Sequence, residues 1–99
     1  MASFTANQAR KAEEHIAEGE KCLKKWFGGS SKHEDAAESF KNAGNSYKVA
    51  RMWQEASDAY NRAASSFEMA KDSHDACICH LESAKCIKNV SPSDAITAY

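Results

Sequence analysis

The feature that most constrains this chain is a five-residue pattern of small and aromatic side chains that recurs after twenty residues. Within each copy the positions are separated by four, three, four and three residues, so they fall on one face of an α-helix. The first copy is Ala36, Phe40, Ala43, Tyr47 and Ala50, and the second is Ala56, Tyr60, Ala63, Phe67 and Ala70. A small side chain on one helix leaves space for an aromatic ring of the next. The pattern therefore predicts helices packed side by side as repeats.

Further copies of the pattern extend the array in both directions. The upstream copy is Ala12, Ile16, Gly19, Leu23 and Trp26. It lies twenty-four rather than twenty residues before the first copy because residues 28–31 are inserted. The downstream copies are Ala76, His80, Ser83, Ile87 and Val90, and then the start of another at Ala95 and Tyr99. Since His80 takes the place of Phe40 and Tyr60, we expect a buried or half-buried packing histidine.

The repeat predicts helices at about 5–26, 32–51, 54–71, 74–89 and 92 onward. Capping signals support the boundaries: Thr5 with Gln8 and Ser31 with Glu34 fit the capping box. The run Ser91-Pro92-Ser93-Asp94 is also typical of a helix start. We therefore predict an all-α fold, a right-handed solenoid of antiparallel helix hairpins similar to tetratricopeptide repeats. It forms one domain over residues 1–99, is truncated after about four and a half helices, and is expected to be a fragment of a longer protein.

Charge and hydropathy exclude several classes of function. The formal net charge is −1, so the chain lacks the global field that gathers nucleic acid, and electrostatic binding must come from a local patch. The N-terminal segment is polar, and the sequence has no run of about 18 apolar residues that could span a bilayer. We expect a cytoplasmic protein that binds no nucleic acid.

Four cysteines raise the question of disulfides or a metal site. They are Cys22, Cys77, Cys79 and Cys86. All four fall in predicted helices, so we expect reduced thiols that pack as small hydrophobic groups. On a helix, Cys77 and Cys79 point about 200° apart, which does not suit zinc ligation. No trio of side chains suits nucleophilic catalysis, and we expect neither an enzyme nor a bound metal or cofactor.

Three stretches of the sequence resemble signatures of one family, the alpha-type soluble NSF attachment proteins. Residues 26–37, with two aromatic residues, two glycines and two serines before Lys32, are similar to the family's first loop and second helix. Residues 43–53 resemble a signature in which an aromatic-lysine pair precedes a basic residue and a tryptophan. Residues 72–76 resemble a Ser-Lys-His-Asp-Ala-Ala run, with substitutions. The resemblance covers nearly the whole chain.

The resemblance implies a non-enzymatic adaptor in vesicular transport and membrane fusion. Members of the family fold as a twisted sheet of antiparallel helices followed by a C-terminal bundle. They coat the four-helix bundle of SNARE complexes and recruit the hexameric NSF ATPase for disassembly. Because the C-terminal bundle is absent here, we expect this chain alone not to stimulate the ATPase. The alternative is a generic tetratricopeptide-like module that binds a short peptide.

The first connection is the candidate membrane loop. By the resemblance it comprises Trp26, Phe27, Gly28 and Gly29, framed by Lys24, Lys25 and Lys32. Aromatic rings favour the bilayer interface, and lysines are attracted to anionic lipid, so a peripheral membrane contact is expected. Family loops often carry a further aromatic pair where this chain has lysines, which would reduce membrane affinity. The alternative is that Trp26 packs in the core as the last member of its apolar series.

A basic strip is the candidate SNARE-binding surface. It comprises Lys48, Arg51, Lys71 and Lys88, with Lys85 beside the last. Lys48 and Arg51 match basic positions of the family signature and lie one helical turn apart. The SNARE bundle is acidic on its surface, so the strip would mainly raise the association rate and make binding salt-sensitive. The alternative is that these residues only complement the helix dipole.

Overall fold

A computed structural model describes residues 2–25 and 29–90, and these form four α-helices. They are α1 (Ala2–Leu23), α2 (Ser30–Val49), α3 (Trp53–Met69) and α4 (Ser73–Ile87). The all-helical prediction is confirmed, with each of these helices starting and ending one to three residues earlier than expected. The predicted fifth helix, with its cap at 91–94, lies outside the described residues.

Each helix packs extensively only against the next one along the chain, as in a solenoid of antiparallel hairpins. Two ion pairs join alternate helices: Arg62 Nη2 of α3 lies 3.1 Å from Glu20 Oε2 of α1, and Lys48 Nζ of α2 lies 3.1 Å from Glu82 Oε1 of α4. We therefore distinguish an α1/α3 face and an α2/α4 face. The array also has two ends: the loop end, where α1 and α3 finish, and the far end, where α2 and α4 finish.

Two aromatic rings lie on glycines of the preceding helix. Gly19 belongs to the predicted pattern of small and large residues, whereas Gly44 does not and follows its member Ala43. Phe40 and Tyr60 are each 1% exposed. A Cβ atom added to Gly19 would lie 2.6 Å from Phe40 Cε1, and one added to Gly44 would lie 2.8 Å from Tyr60 Cε1. Neither distance is compatible with a methyl group, so these glycines allow α1 to approach α2 and α2 to approach α3.

The third packing interface, between α3 and α4, differs from the prediction. The buried side chains of α4 are Ala76, Cys79, Ser83 and Cys86. The second buried residue of this stripe is Cys79, three residues after Ala76, where the prediction placed His80, four residues after Ala76. The buried face is therefore rotated, and His80 lies exposed at its side. The expectation of a buried or half-buried His80 is therefore wrong. Cys79 and Cys86, each 1% exposed, fill the core as small hydrophobic groups, as predicted, and Cys22 is half-buried. Cys77 is exposed, so the expectation that it also packs as a small hydrophobic group is wrong.

The α2–α3 and α3–α4 turns have the same hydrogen-bond pattern, which explains why both helices end early. After α2, the Met52 amide donates to the Tyr47 carbonyl and the Arg51 amide donates to the Lys48 carbonyl. Twenty residues later the same two bonds recur. Arg51 and Lys71 occupy the left-handed position of this Schellman motif, with φ of 61° and 63°. The helices therefore end before these basic residues, whereas the prediction placed both residues inside helices.

The predicted capping boxes are also wrong. Thr5 and Ser31 both lie inside helices, because α1 and α2 begin earlier than expected. The residue before α2 is Gly29, whose φ of 52° and ψ of −129° disfavour other residue types. Among the described helices, a side-chain cap forms at α4, where Asp72 Oδ1 accepts a hydrogen bond of 3.1 Å from the Asp75 amide.

Candidate interaction surfaces

Three lysines at the far end of the α2/α4 face form what we call the lysine cluster: Lys48, Lys85 and Lys88. Glu82 lies between the first two, with Oε1 3.1 Å from Lys48 Nζ and Oε2 3.5 Å from Lys85 Nζ. Lys88 follows Lys85 by one helical turn, and α2 and α4 run parallel, which brings the three to the same end. Two of the sequence-predicted residues, Lys48 and Lys88, therefore lie at the same end of the array.

Glu82 is held as a carboxylate by its two lysine neighbours. The hydrogen bond from Lys48 is the main cause of a lowered Glu82 pKa, and the charges of Lys48 and Lys85 add to it. Partial burial of Glu82 opposes this effect. The charge of Lys48 is thus already matched within the chain, and an acidic partner must compete with Glu82 for it.

The core beneath the lysine cluster contains paired polar groups. The Ser57 and Ser83 hydroxyls lie 2.7 Å apart, and the Tyr60 hydroxyl donates to Asn45 Oδ1. Burial raises the pKa of Tyr60 above its ordinary range, so the phenol stays protonated and keeps donating. These bonds connect α2, α3 and α4 below the surface, which gives the lysine cluster a fixed base.

The remaining two residues of the predicted basic strip lie at opposite ends of the array. Arg51 follows α2 and lies at the far end, beside the lysine cluster. Lys71 follows α3 and lies at the loop end, because consecutive helices run antiparallel. Both side chains are exposed. The structure therefore places Arg51 at the same end as Lys48 and Lys88, and Lys71 at the opposite end.

The loop end carries the flanking lysines of the candidate membrane loop. Lys24 and Lys25 are exposed, whereas Lys32 is half-buried and its Nζ donates a hydrogen bond of 2.9 Å to the Lys25 carbonyl. This bond ties the start of α2 to the segment after α1. Lys71 lies at the same end. Trp26, Phe27 and Gly28, the centre of the candidate loop, lie outside the described residues.

The α1/α3 face has a different charge arrangement, centred on Arg62. Its guanidinium pairs with Glu20 and also lies over the Phe40 ring, with 4.3 Å between the Arg62 Cζ atom and the ring centroid. Beside it, a groove of about 220 Å³ is lined by Ile16, Tyr47, Glu55, Asp58, Ala59 and Arg62. This groove was not predicted from the sequence.

Neither a membrane span nor a metal centre appears in the part of the chain that the structure describes. None of the four helices combines the length and apolar character needed to cross a bilayer. Within residues 2–25 and 29–90, no three metal-ligating side chains come together. Cys77 is exposed and Cys79 is buried, consistent with their expected divergence on the helix. Burial raises the pKa of Cys79 to about 11, so its thiol stays protonated near neutral pH.

Sequence reasoning missed the two ion pairs that join alternate helices. No signal within one repeat connects Glu82 to Lys48 or Glu20 to Arg62. A signal does exist at twice the repeat length, where parallel helices become neighbours. Lys48 and Glu82 are 34 residues apart, and Glu20 and Arg62 are 42 apart. Opposite charges separated by about two repeats would have pointed to both pairs.

The described residues form a stretch of helical-hairpin solenoid with charged, exposed faces, a class of structure that binds other proteins. The sequence comparison defines the class further. Residues 10–99 match the family described as "Soluble NSF attachment protein, SNAP". The chain belongs to the soluble NSF attachment protein family.

Individual relatives agree with this assignment. The human alpha-soluble NSF attachment protein is 33% identical over 85 residues, which cover 86% of this chain and 29% of the human protein. The mouse protein of the same name gives the same values. The alpha-soluble NSF attachment protein of Vitis vinifera is 28% identical over 92 residues, covering 93% of this chain and 32% of that protein. The chain thus spans less than a third of these relatives, and no solved structure matches it.

Proposed function

We propose that this chain is the helical-repeat part of an adaptor that binds SNARE complexes and recruits the NSF ATPase for their disassembly. It has no enzymatic activity of its own in this proposal. Membership in the soluble NSF attachment protein family supports it, as do relatives whose names describe attachment to NSF. The observation that carries the SNARE-binding part is the lysine cluster with Arg51 at the far end of the α2/α4 face.

The lysine cluster suits an acidic helical bundle as its partner. Lys48 lies near the end of α2, Lys85 lies near the end of the parallel helix α4, and Lys88 directly follows α4, so positive charge extends over a width of more than one helix. Glu82 neutralises one of these charges, and Arg51 adds another at the same end. Exposed charges of this kind mainly raise the rate of association, and salt screens them. Binding through this surface should therefore weaken as the ionic strength rises.

The loop end is the proposed membrane contact. The exposed Lys24 and Lys25 can approach anionic lipid, where each adds about 1 kcal/mol of attraction. Lys71 lies at this end and is assigned to the membrane contact rather than to the SNARE surface. With the aromatic side chains of Trp26 and Phe27, these lysines would give a cytoplasmic protein with weak, peripheral attachment to membranes.

A generic peptide-binding module is the second candidate function. The groove on the α1/α3 face favours it, because the groove has an apolar floor and a charged rim. The two functions use opposite faces of the array. Mapping which face contacts a bound partner therefore distinguishes the two functions.

The test of the adaptor function is binding of a folded SNARE four-helix complex to the chain at low and physiological salt. We expect salt-sensitive binding that the Lys48→Glu, Arg51→Glu double variant loses. Lys24→Glu with Lys71→Glu is the matched control, since it changes the charge equally at the loop end, and Lys71 has the same left-handed backbone as Arg51. Circular dichroism of each variant checks that the helices persist. Equal loss with the control variant, or no binding at low salt, would contradict the proposed surface.

A further inference from the structure

The groove on the α1/α3 face is a concave site built from three helices. Ile16 of α1, Tyr47 of α2 and Ala59 of α3 form its floor. The same three residues pack on the core around Ala12 and Ala43, so the floor is anchored in the interior. Its volume of about 220 Å³ suits one long side chain rather than a whole helix. The groove is therefore a pocket for a single anchoring residue of a partner.

The charges at one side of the groove are already satisfied. Arg62 is paired with Glu20 at 3.1 Å and lies over the Phe40 ring, so its guanidinium is fixed and neutralised within the chain. Arg62 consequently forms a wall of the groove and is not free to receive an acidic ligand.

The other side of the groove carries carboxylates without cationic partners among the described residues. Glu55 and Asp58 lie one turn apart on α3, and both are exposed. Asp58 accepts a hydrogen bond of 3.3 Å from Gln54 Nε2, a neutral group. Glu13 and Glu55 also act on the Tyr47 hydroxyl, whose pKa is raised by burial first and by these two carboxylates second. Negative potential thus extends over the apolar floor.

We propose that this groove docks an arginine from a basic segment of a partner protein. The aliphatic stem of the arginine would lie over Ile16, Ala59 and the Tyr47 ring, as long basic side chains do at apolar surfaces. Its guanidinium would reach the carboxylates of Glu55 and Asp58. A planar guanidinium can donate to both carboxylates at once, which the compact ammonium of a lysine does less well. The site lies on the face opposite the lysine cluster. It needs a basic partner, whereas the lysine cluster needs an acidic one. It therefore goes beyond the proposed SNARE contact.

The test uses a capped peptide, acetyl-Ala-Leu-Arg-Leu-Ala-amide, titrated into the ¹⁵N-labelled full chain. A peptide with citrulline in place of arginine keeps the length and planarity of the side chain, but a carbonyl oxygen replaces one NH2 group, which removes the charge and two of the five N–H donors. We expect the arginine peptide to shift the amide signals of Ile16, Tyr47 and Ala59. The citrulline peptide should bind about fivefold more weakly, as the loss of one exposed ion pair implies.

Matched variants decide whether the groove is responsible. Glu55→Gln with Asp58→Asn should weaken binding of the arginine peptide by about fivefold or more. Glu34→Gln with Asp35→Asn is the control, because it removes the same charge from exposed positions on α2. The inference is overturned if both double variants weaken binding equally, if the citrulline peptide binds as well, if the shifts map elsewhere, or if nothing binds. Its failure would leave the SNARE test on the opposite face unaffected.

Discussion

On the α2/α4 face one carboxylate, that of Glu82, lies between two lysines. On the α1/α3 face one guanidinium, that of Arg62, is paired with a single carboxylate, and the two carboxylates nearby, Glu55 and Asp58, have no cationic partner within residues 2–25 and 29–90. Both ion pairs join alternate helices at 3.1 Å, so they resemble each other structurally. What differs is the charge left over: positive on the first face and negative on the second. The pairs help to align the helices, and the unmatched charges determine which partner each face can attract.

The largest expected effect tests what the two faces share, the packing of aromatic rings on glycines. Gly19→Ala and Gly44→Ala each place a methyl group less than 3 Å from a buried ring. Overpacking typically costs about 1–3 kcal/mol, and the better helix propensity of alanine returns up to about 1 kcal/mol. We expect a net loss of stability in urea unfolding. Ser65→Ala, at an exposed position of α3, is the control and should be neutral or slightly stabilising.

The same two glycine variants can show which binding function depends on which face. Gly19→Ala should displace Phe40 and with it the Arg62 guanidinium that lies over the ring. Gly44→Ala should displace Tyr60, whose hydroxyl bonds to Asn45 beneath the lysine cluster. Under conditions where both variants are folded, the first should alter peptide binding in the groove and the second SNARE binding. A stability for either variant equal to that of Ser65→Ala would show that the rings can move aside.

The sequence predicted the packing better than the surfaces, for a physical reason. Which residues of a helix face its neighbour follows from their spacing within one repeat. The alternation of small and large residues therefore predicted that Phe40 and Gly19 lie in the packed interface. The exception is α4. There His80 lies four residues after Ala76 and Cys79 lies three residues after it, so either side chain could occupy the buried face of the helix. Burial of a thiol costs less than burial of an imidazole, so the structure selects the cysteine.

The candidate site was predicted only in part, because chain direction decides which end a residue occupies. Arg51 and Lys71 are equivalent in the repeat, and the sequence suggested one strip containing both. Adjacent helices are antiparallel, so residues one repeat apart lie at opposite ends, and only residues two repeats apart, such as Lys48 and Lys88, share an end. Glu82 could not be identified from single-repeat patterns, since its partner lies on a parallel helix.

The next largest effect concerns Glu82, the carboxylate that masks the lysine cluster. Glu82→Gln removes a negative charge between Lys48 and Lys85, so binding of a SNARE complex should strengthen about two- to fivefold at low salt. Isothermal titration calorimetry would measure this. Glu38→Gln is the matched control, since Glu38 pairs with Lys41 at 3.2 Å, far from the cluster. Weaker binding by Glu82→Gln would instead show that Glu82 serves to position Lys48.

A smaller effect concerns Arg51 and Lys71 at the two turns, where the effect of backbone conformation on stability can be separated from the effect of side-chain charge on binding. Glycine adopts a left-handed backbone more readily than arginine or lysine, although it also loses more entropy on folding. We expect Arg51→Gly and Lys71→Gly each to stabilise the fold by about 0.5 kcal/mol in urea unfolding. Only Arg51→Gly should also weaken SNARE binding, because only Arg51 lies beside the lysine cluster. Equal binding by the two variants would contradict the division of the basic residues between the ends.

The smallest effect is the pH dependence of the ion pair on the α2/α4 face. The folded pKa of Glu82 lies below its ordinary value of 4.5, so the unfolded chain binds its proton more readily than the folded chain does. The stabilisation is therefore complete above that value and is lost as the pH falls below it through the folded pKa.

Comparing the wild-type chain with Glu82→Gln in urea unfolding between about pH 6 and pH 3 isolates this contribution. The wild-type advantage should be about 0.3 kcal/mol, near the low end for exposed ion pairs, because Lys48 is exposed and solvent screens the pair. It should disappear at the acid end of the range and shrink in 1 M salt, where the screening length falls to about 3 Å. An advantage that persists at acid pH would mean that Glu82 stabilises the α2/α4 face through packing, and the two faces would then differ in more than their unmatched charge.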